Sequence, residues 1–308
     1  MVGTQVAAPT VTSTTSDFAT FGAIHLAVTD GERALGFWRD LVGLELLGRD
    51  GEELHLGVAG RELVVLRPGA RGPVVREASG LYHLSLHLPT LEDFARAFAR
   101  LEAADYFQYP TDHGTHLANY VDDPDGIGIE FAFETPRERR TTWDGLPGFE
   151  RGDDGGCQWS ARDPRYFAWL RSHVPDGDIR PGLPAGAIVG HVHLRVADTD
   201  AALAYYRDAI GFTTNHDGRP QGFFDMSAGG TFPHRLACNS WESAGRPQRP
   251  TEAAGMRYFT LQLRSAEELA ASIARVASVG GQVEHQRGGA LVTAPDGTRL
   301  LLTTVATR

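Results

Sequence analysis

The sequence predicts an α+β protein of four βαβββ modules, arranged as two domains with curved mixed sheets, mostly antiparallel. Three observations predict it. Gly22 to Leu44 lies without a gap on Gly190 to Phe212, matching at Gly22/Gly190, His25/His193, Asp30/Asp198, Leu35/Leu203, Arg39/Arg207 and Gly43/Gly211. A second pair of stretches corresponds, Gly80-Leu81-Tyr82-His83 with Gly255-Met256-Arg257-Tyr258. Each member of that pair leads into an alternating strand, an amphipathic segment and a Pro-Asp-Gly turn. Repeats of this length mark a supersecondary unit used several times.

The elements follow in order. In module one (residues 20–70) a strand runs into a helix that Asp30 opens, Leu35 and Trp38 anchor at helical spacing, and Gly43 closes. Module two (78–135) has the strand after Gly80, a helix over Leu91 to Leu101, the turn Pro124-Asp125-Gly126 and a last strand through Ile129, Phe131 and Phe133. Module three (187–243) repeats the first, with Asp198 and Gly211 as the helix boundaries. Module four (253–305) repeats the second, with a helix over Ala266 to Val279 and the turn Pro295-Asp296-Gly297. Residues 136–186 are rich in Gly, Pro, Asp and Arg and read as a linker with one short helix near Tyr166 to Ser172. The expected division is an N-terminal arm (1–20), an N-terminal domain (21–135), the linker, and a C-terminal domain (187–308).

Composition narrows the function. The 308 residues are 42% apolar and 22% charged, the balance of a globular protein. A net charge of -10 argues against nucleic acid and anionic membranes as partners. The basic run Arg137 to Arg140 reads as a solvated linker edge. Cys157 and Cys238 stand far apart, which fits a reducing cytoplasm rather than a disulfide framework or a zinc ribbon. Residues 1–18 lack the basic and apolar regions of a signal peptide. The chain has no lysine, so Schiff-base chemistry on a lysine is excluded. It also lacks a Gly-x-Ser-x-Gly elbow, a Walker loop and a dinucleotide fingerprint.

Strand alternation sorts the remaining polar residues onto faces. Val192, Leu194 and Val196 share an apolar face, which leaves His191, His193 and Arg195 on the other. Leu84, Leu86 and Leu88 oppose His83, Ser85 and His87, while Ile129, Phe131 and Phe133 oppose Glu130. A curved sheet would gather the polar residues into a cup. His83, Glu130 and His191 then form a set of two imidazoles and one carboxylate, which leaves coordination positions open and suits Fe(II), with Mn(II) next. The sister positions hold Tyr258, Leu301 and Ala23. Surface polarity has no reason to respect a repeat in this way.

These segments resemble the vicinal oxygen chelate superfamily, which includes glyoxalase I, bleomycin-resistance proteins and type I extradiol dioxygenases. The similarity is greatest to the two-domain catechol 2,3-dioxygenase branch. It is carried by Gly190 to Asp198, Gly80 to His83, Asp112-His113-Gly114, Tyr120 with Asp123 to Glu130, Ser227 to Gly230, and Asn239-Ser240-Trp241, and it runs from about residue 21 to the C-terminus. The resemblance implies an Fe(II)-dependent dioxygenase that cleaves a catechol-type diol with O₂. His83, Glu130 and His191 match the metal ligands. His234 matches the acid–base histidine, and Tyr120 and His113 match groups that hydrogen-bond the substrate oxygens. The pattern departs at Thr231-Phe232-Pro233-His234, where a His-rich run is usual, and at His116, Leu117 and Asn119.

Because modules two and three hold all these residues, they must meet, within a chain or across a dimer, and a homo-oligomer is expected. Two alternatives accompany this reading. One is a glyoxalase-type lyase or isomerase, which would need a second carboxylate where Leu301 stands. The other is a metal-free protein that sequesters an aromatic compound.

Overall fold

In the computed structural model, which describes residues 17–136, 164–174 and 177–305, four modules of strand, helix and three strands follow one another. The first comprises β1 (Ala19–Val28), α1 (Gly31–Gly36), β2 (Glu45–Asp50), β3 (Glu53–Val58) and β4 (Arg61–Pro68). The second comprises β5 (Gly80–His87), α2 (Leu91–Ala103), β6 (Tyr109–Asp112), β7 (His116–Asp122) and β8 (Gly128–Glu134). After α3 (Pro164–Ser172) come β9 (Ile188–Arg195), α4 (Thr199–Ala204), β10 (Thr213–Gly218), β11 (Phe223–Ser227) and β12 (Leu236–Asn239). The last module comprises β13 (Gly255–Leu263), α5 (Ala266–Ser278), β14 (Gln282–Gln286), β15 (Gly289–Thr293) and β16 (Arg299–Thr304). Residues 1–16, the run Arg137 to Arg140 and Cys157 lie outside the described residues.

The strands form two eight-stranded mixed sheets, in the orders β14-β15-β16-β13-β1-β4-β3-β2 and β10-β11-β12-β9-β5-β8-β7-β6. Within every module the first strand pairs in parallel with the last. Between modules the first strands pair antiparallel, β1 with β13 and β5 with β9. Each sheet therefore takes one module from either side of α3. Modules two and three meet within a single chain, and modules one and four form the companion sheet.

The first helices of modules one and three start where the sequence places their caps. The Asp30 carboxylate accepts from the backbone N–H of Glu32 and Arg33, and Asp198 does the same for Asp200 and Ala201. Thr90 and Ser265 cap α2 and α5 through the N–H groups three residues on. Past α1 and α4 the chain widens into π-helical turns, Phe37–Val42 and Tyr205–Ile210, a feature that periodicity alone did not predict. The wider turn turns both members of the pairs Phe37-Trp38 and Tyr205-Tyr206 into the core. Gly43 and Gly211 end these turns with φ of 95° and 113°, in the region that favours glycine.

Alternation holds on the strands that matter. Leu84, Leu86, Val192, Leu194, Ile129 and Phe131 are buried in the main core beneath α2 and α4. The opposite faces are also buried, at His83, Ser85, His87, Glu130, His191 and His193. A flat sheet would leave that second face in water; here curvature closes it into a cup.

Candidate metal centre

Register assembles the floor of the cup. Across β5 and β9, His83 lies opposite His193 and Ser85 opposite His191, while on the other side of β5 Ser85 lies opposite Glu130. The three predicted ligands thus surround one small residue. His83 Nε2 is 3.0 Å from Glu130 Oε2, His191 Nε2 is 3.3 Å from the same oxygen, and the two Nε2 atoms are 3.3 Å apart. Ligands about 2.1 Å from a shared ion lie about 3.0 Å apart at right angles and about 3.4 Å apart at tetrahedral angles. The observed spacings fall within that span. This is the one group of three such ligand atoms that could hold an ion among the described residues.

Electrostatics agree with the spacing. Burial, only partly offset by Glu130, pulls the His83 imidazole below its ordinary pKa and His191 well below. Burial raises the Glu130 carboxyl, and what holds it well below the usual carboxylate range is positive charge beside it, which His191 and His116 supply when protonated and a bound cation would supply when they are neutral. Two neutral imidazoles and an ionised carboxylate are the protonation states that bind a cation. Both Glu130 oxygens are buried without a hydrogen-bond donor, although His116 Nε2 stands 3.1 Å from Oε1. Orphaned carboxylate oxygens are costly unless a cation takes their lone pairs.

Behind the floor runs a buried chain. His191 Nδ1 lies 2.8 Å from His87 Nε2, and His87 Nδ1 lies 3.0 Å from Glu134 Oε1. Arg235 donates to Glu134 through Nη1 and to Asp17 through Nε, each at 3.0 Å. Glu134 accepts, so His87 donates from Nδ1 and receives the His191 Nδ1–H at Nε2. That sequence of tautomers leaves the His191 Nε2 lone pair facing Glu130. Gly190 makes the arrangement possible, because a Cβ there would lie 2.0 Å from the His87 ring.

In front of the floor stand the other predicted residues. His234 Nδ1 is 2.7 Å from Asp225 Oδ2. A carboxylate can only accept, so Nδ1 carries the hydrogen and Nε2 is left as a base. Asp225 is fixed in turn by Asn215 Nδ2 and the His216 N–H. His113 Nε2 is 2.8 Å from the Tyr120 hydroxyl. Burial, with His116 next, pushes the His113 imidazole down to about 3. Burial, with Glu130 next, raises the Tyr120 phenol well above its ordinary value, so both groups stay neutral. The His234 and His191 rings lie 4.8 Å apart, and His83, Tyr120, His113 and His234 all line one cavity of about 1000 Å³.

A family model described as the Glyoxalase/Bleomycin resistance protein/Dioxygenase superfamily matches residues 20–131 and 188–300. The chain belongs to that superfamily. It is 31% identical over 280 residues to the Catechol-2,3-dioxygenase of Bacillus subtilis (strain 168), covering 89% of this chain and 93% of that one. Two solved structures share the fold of this superfamily member. One, from Bacillus subtilis subsp. subtilis str. 168 and provisionally described as a dioxygenase, has a TM-score of 0.61 at 14% identity, covering 92% of this chain and 85% of that one. The other, glyoxalase I from Zea mays, has a TM-score of 0.55 at 15% identity, covering 93% of both chains.

Several side chains in this superfamily member went unread in the sequence. Glu134, Arg235 and Asp17 act through partners distant along the chain, and Asp225 through His234, nine residues on. His87 and His193, which alternation placed as cup lining, are buried and hydrogen-bonded, His193 to Asn239 at 2.9 Å. His116, where the sequence departs from the family pattern, stands against Glu130 and stacks on His234 at 5.6 Å. Asp225 alone left a signal, an acid inside the apolar strand Phe223-Phe224-Asp225-Met226.

Proposed function

We propose that this protein is an extradiol ring-cleavage dioxygenase acting on a catechol-type diol. The observation that carries the reading is the meeting of the His83, Glu130 and His191 ligand atoms at one point, from which His83 reaches a cavity that His234, Tyr120 and His113 also line. A bound Fe(II), with Mn(II) as the other candidate, would supply open coordination positions that bring diol and O₂ together and let electron density pass between them. Its holders would be the two Nε2 atoms and the Glu130 carboxylate.

The chain's own side chains do the rest. His234 Nε2 accepts a proton from the diol hydroxyl, because Asp225 holds the Nδ1–H and steadies the imidazolium that results. The same histidine returns that proton to a product oxygen. Tyr120, oriented by His113, donates its hydroxyl hydrogen to a ring oxygen and fixes the plane of the diol. His116, stacked on His234 and beside Glu130, closes the inner wall of the cup.

The glyoxalase-type alternative needs a second carboxylate as base. Among the described residues lining the cavity the carboxylate is Asp122, which Arg76 already holds at 2.6 Å. Reconstitution with Fe(II) in the absence of oxygen, followed by air and a catechol, tests the proposal. A yellow ring-opened semialdehyde is expected. Intact diol after many equivalents of oxygen, with metal bound, overturns it.

A further inference from the structure

The cavity is far larger than a diol ring requires. At about 1000 Å³ it stands at the upper end of the ~300–1,000 Å³ typical of pockets for drug-sized ligands. Its inner part, formed by central strands of the sheet, is polar. Its outer part is aromatic and comes from the two edges of the cup. On one side the rings of His234, Phe223 and Trp241 form a row. Phe223 lies 6.4 Å from His234 at 21°, and Trp241 lies 5.9 Å from Phe223 at 17°. The row therefore begins at the acid–base histidine and runs outward with its faces nearly parallel. Trp241 Nε1 donates to the Gln221 carbonyl at 3.0 Å, and Tyr82 meets the indole edge-on at 5.8 Å, so the outermost ring is held in place.

On the other side Phe107 and Tyr109 enter the same cavity from the edge strand β6 and the loop before it. Phe107 is 71% exposed, Trp241 56% and Tyr109 39%. Large aromatic side chains left in water around a cavity mouth mark a surface that a ligand covers. The cations at the mouth are already engaged. Arg76 pairs with Asp122 at 2.6 Å, and Arg195 pairs with Glu242 at 3.2 Å, donates to the Leu81 carbonyl and lies over Tyr82. Neither offers an uncompensated charge to an anionic tail.

We infer that the substrate is a catechol bearing a bulky, uncharged aryl or long alkyl substituent. The diol occupies the polar floor, and the substituent lies along the Phe223–Trp241 row beneath Phe107. This inference rests on the ring-cleavage reading for the position of the diol, but the aromatic walls stand independently of it. Phe107, Phe223 and Trp241 set specificity by stacking and burial, not by chemistry at the ring.

The test compares catechol, a phenyl-substituted catechol and a catechol carrying a carboxylate on a chain of similar length. Both kcat/KM and oxygen-free equilibrium binding are measured with wild-type protein and with Trp241→Ala and Phe107→Ala. The phenyl-substituted diol is expected to be preferred over both others by tenfold or more, chiefly through KM, and each substitution to reduce that preference about tenfold. Equal affinity for catechol and its phenyl derivative, or preference for the carboxylated diol, overturns the inference. Absence of cleavage for every diol counts against the ring-cleavage reading instead, and the binding series still ranks the substituents.

Discussion

His234 and His87 show how two imidazoles in one cup acquire different work from what stands behind them. Asp225 holds the His234 Nδ1–H and leaves Nε2 as the base that the proposed function uses. His234→Ala should lower kcat by about 10²–10⁴-fold, the usual contribution of a general acid–base, while leaving metal affinity near wild type. His87 instead links Glu134 to His191, and in the proposed site would orient that candidate ligand. Removing such an outer partner typically weakens metal binding by about 10–100-fold, so His87→Gln should raise the dissociation constant for Fe(II) or Mn(II) by that amount. Unchanged affinity would show that the chain behind His191 is structural only. The candidate ligand set was legible because repetition supplied an internal control, with Ala23, Tyr258 and Leu301 standing at the sister positions. Glu134 and Arg235 were not legible, because nothing in the sequence says which distant side chain a buried charge will meet.

Element boundaries were legible wherever a single residue satisfies orphaned backbone donors. Thr90 caps α2 by accepting the Asp93 N–H and donating its own hydrogen to the Asp93 carboxylate. Thr90→Ala should therefore cost about 1 kcal/mol in denaturant unfolding. A value near zero would mean that water replaces the cap fully. The widened turns after α1 and α4 were hidden because the spacing of Leu35 and Trp38 also fits an ordinary helical turn. Their trace is the adjacent aromatic pair in each copy, Phe37-Trp38 and Tyr205-Tyr206, both members of which are buried. The strands were readable for the opposite reason: alternation assigned His83, Glu130 and His191 to one face, and curvature did the rest.

At the scale of the whole molecule, the sequence showed that modules two and three must meet but not that they do so within one chain. Pairing of β5 with β9 depends on a long-range register that no local pattern encodes. The companion sheet keeps a histidine where the sheet of modules two and three has His193: His25 stacks on Tyr258 at 4.1 Å and is pushed down to about 3 by burial first and then by Arg67. Unfolding returns that imidazole to about 6.5. Between those values the unfolded chain binds the additional proton, so stability is full above pH 6.5 and is lost as the pH falls toward 3. His113, also pushed down to about 3, acts in the same direction. Metal-free protein should show this fall in chemical denaturation across that window, and His25→Phe should make it shallower. A slope unchanged by the substitution would remove His25 from the account.

The central claim is that His83, Glu130 and His191 hold one divalent ion. Equilibrium dialysis of oxygen-free protein against Fe(II) and Mn(II), beside Glu130→Ala and His191→Ala, measures this directly. One ion per chain in the wild type, with binding abolished in both variants while the far-ultraviolet spectrum stays the same, is the expected result. Full binding in either variant, or none in the wild type, contradicts the account.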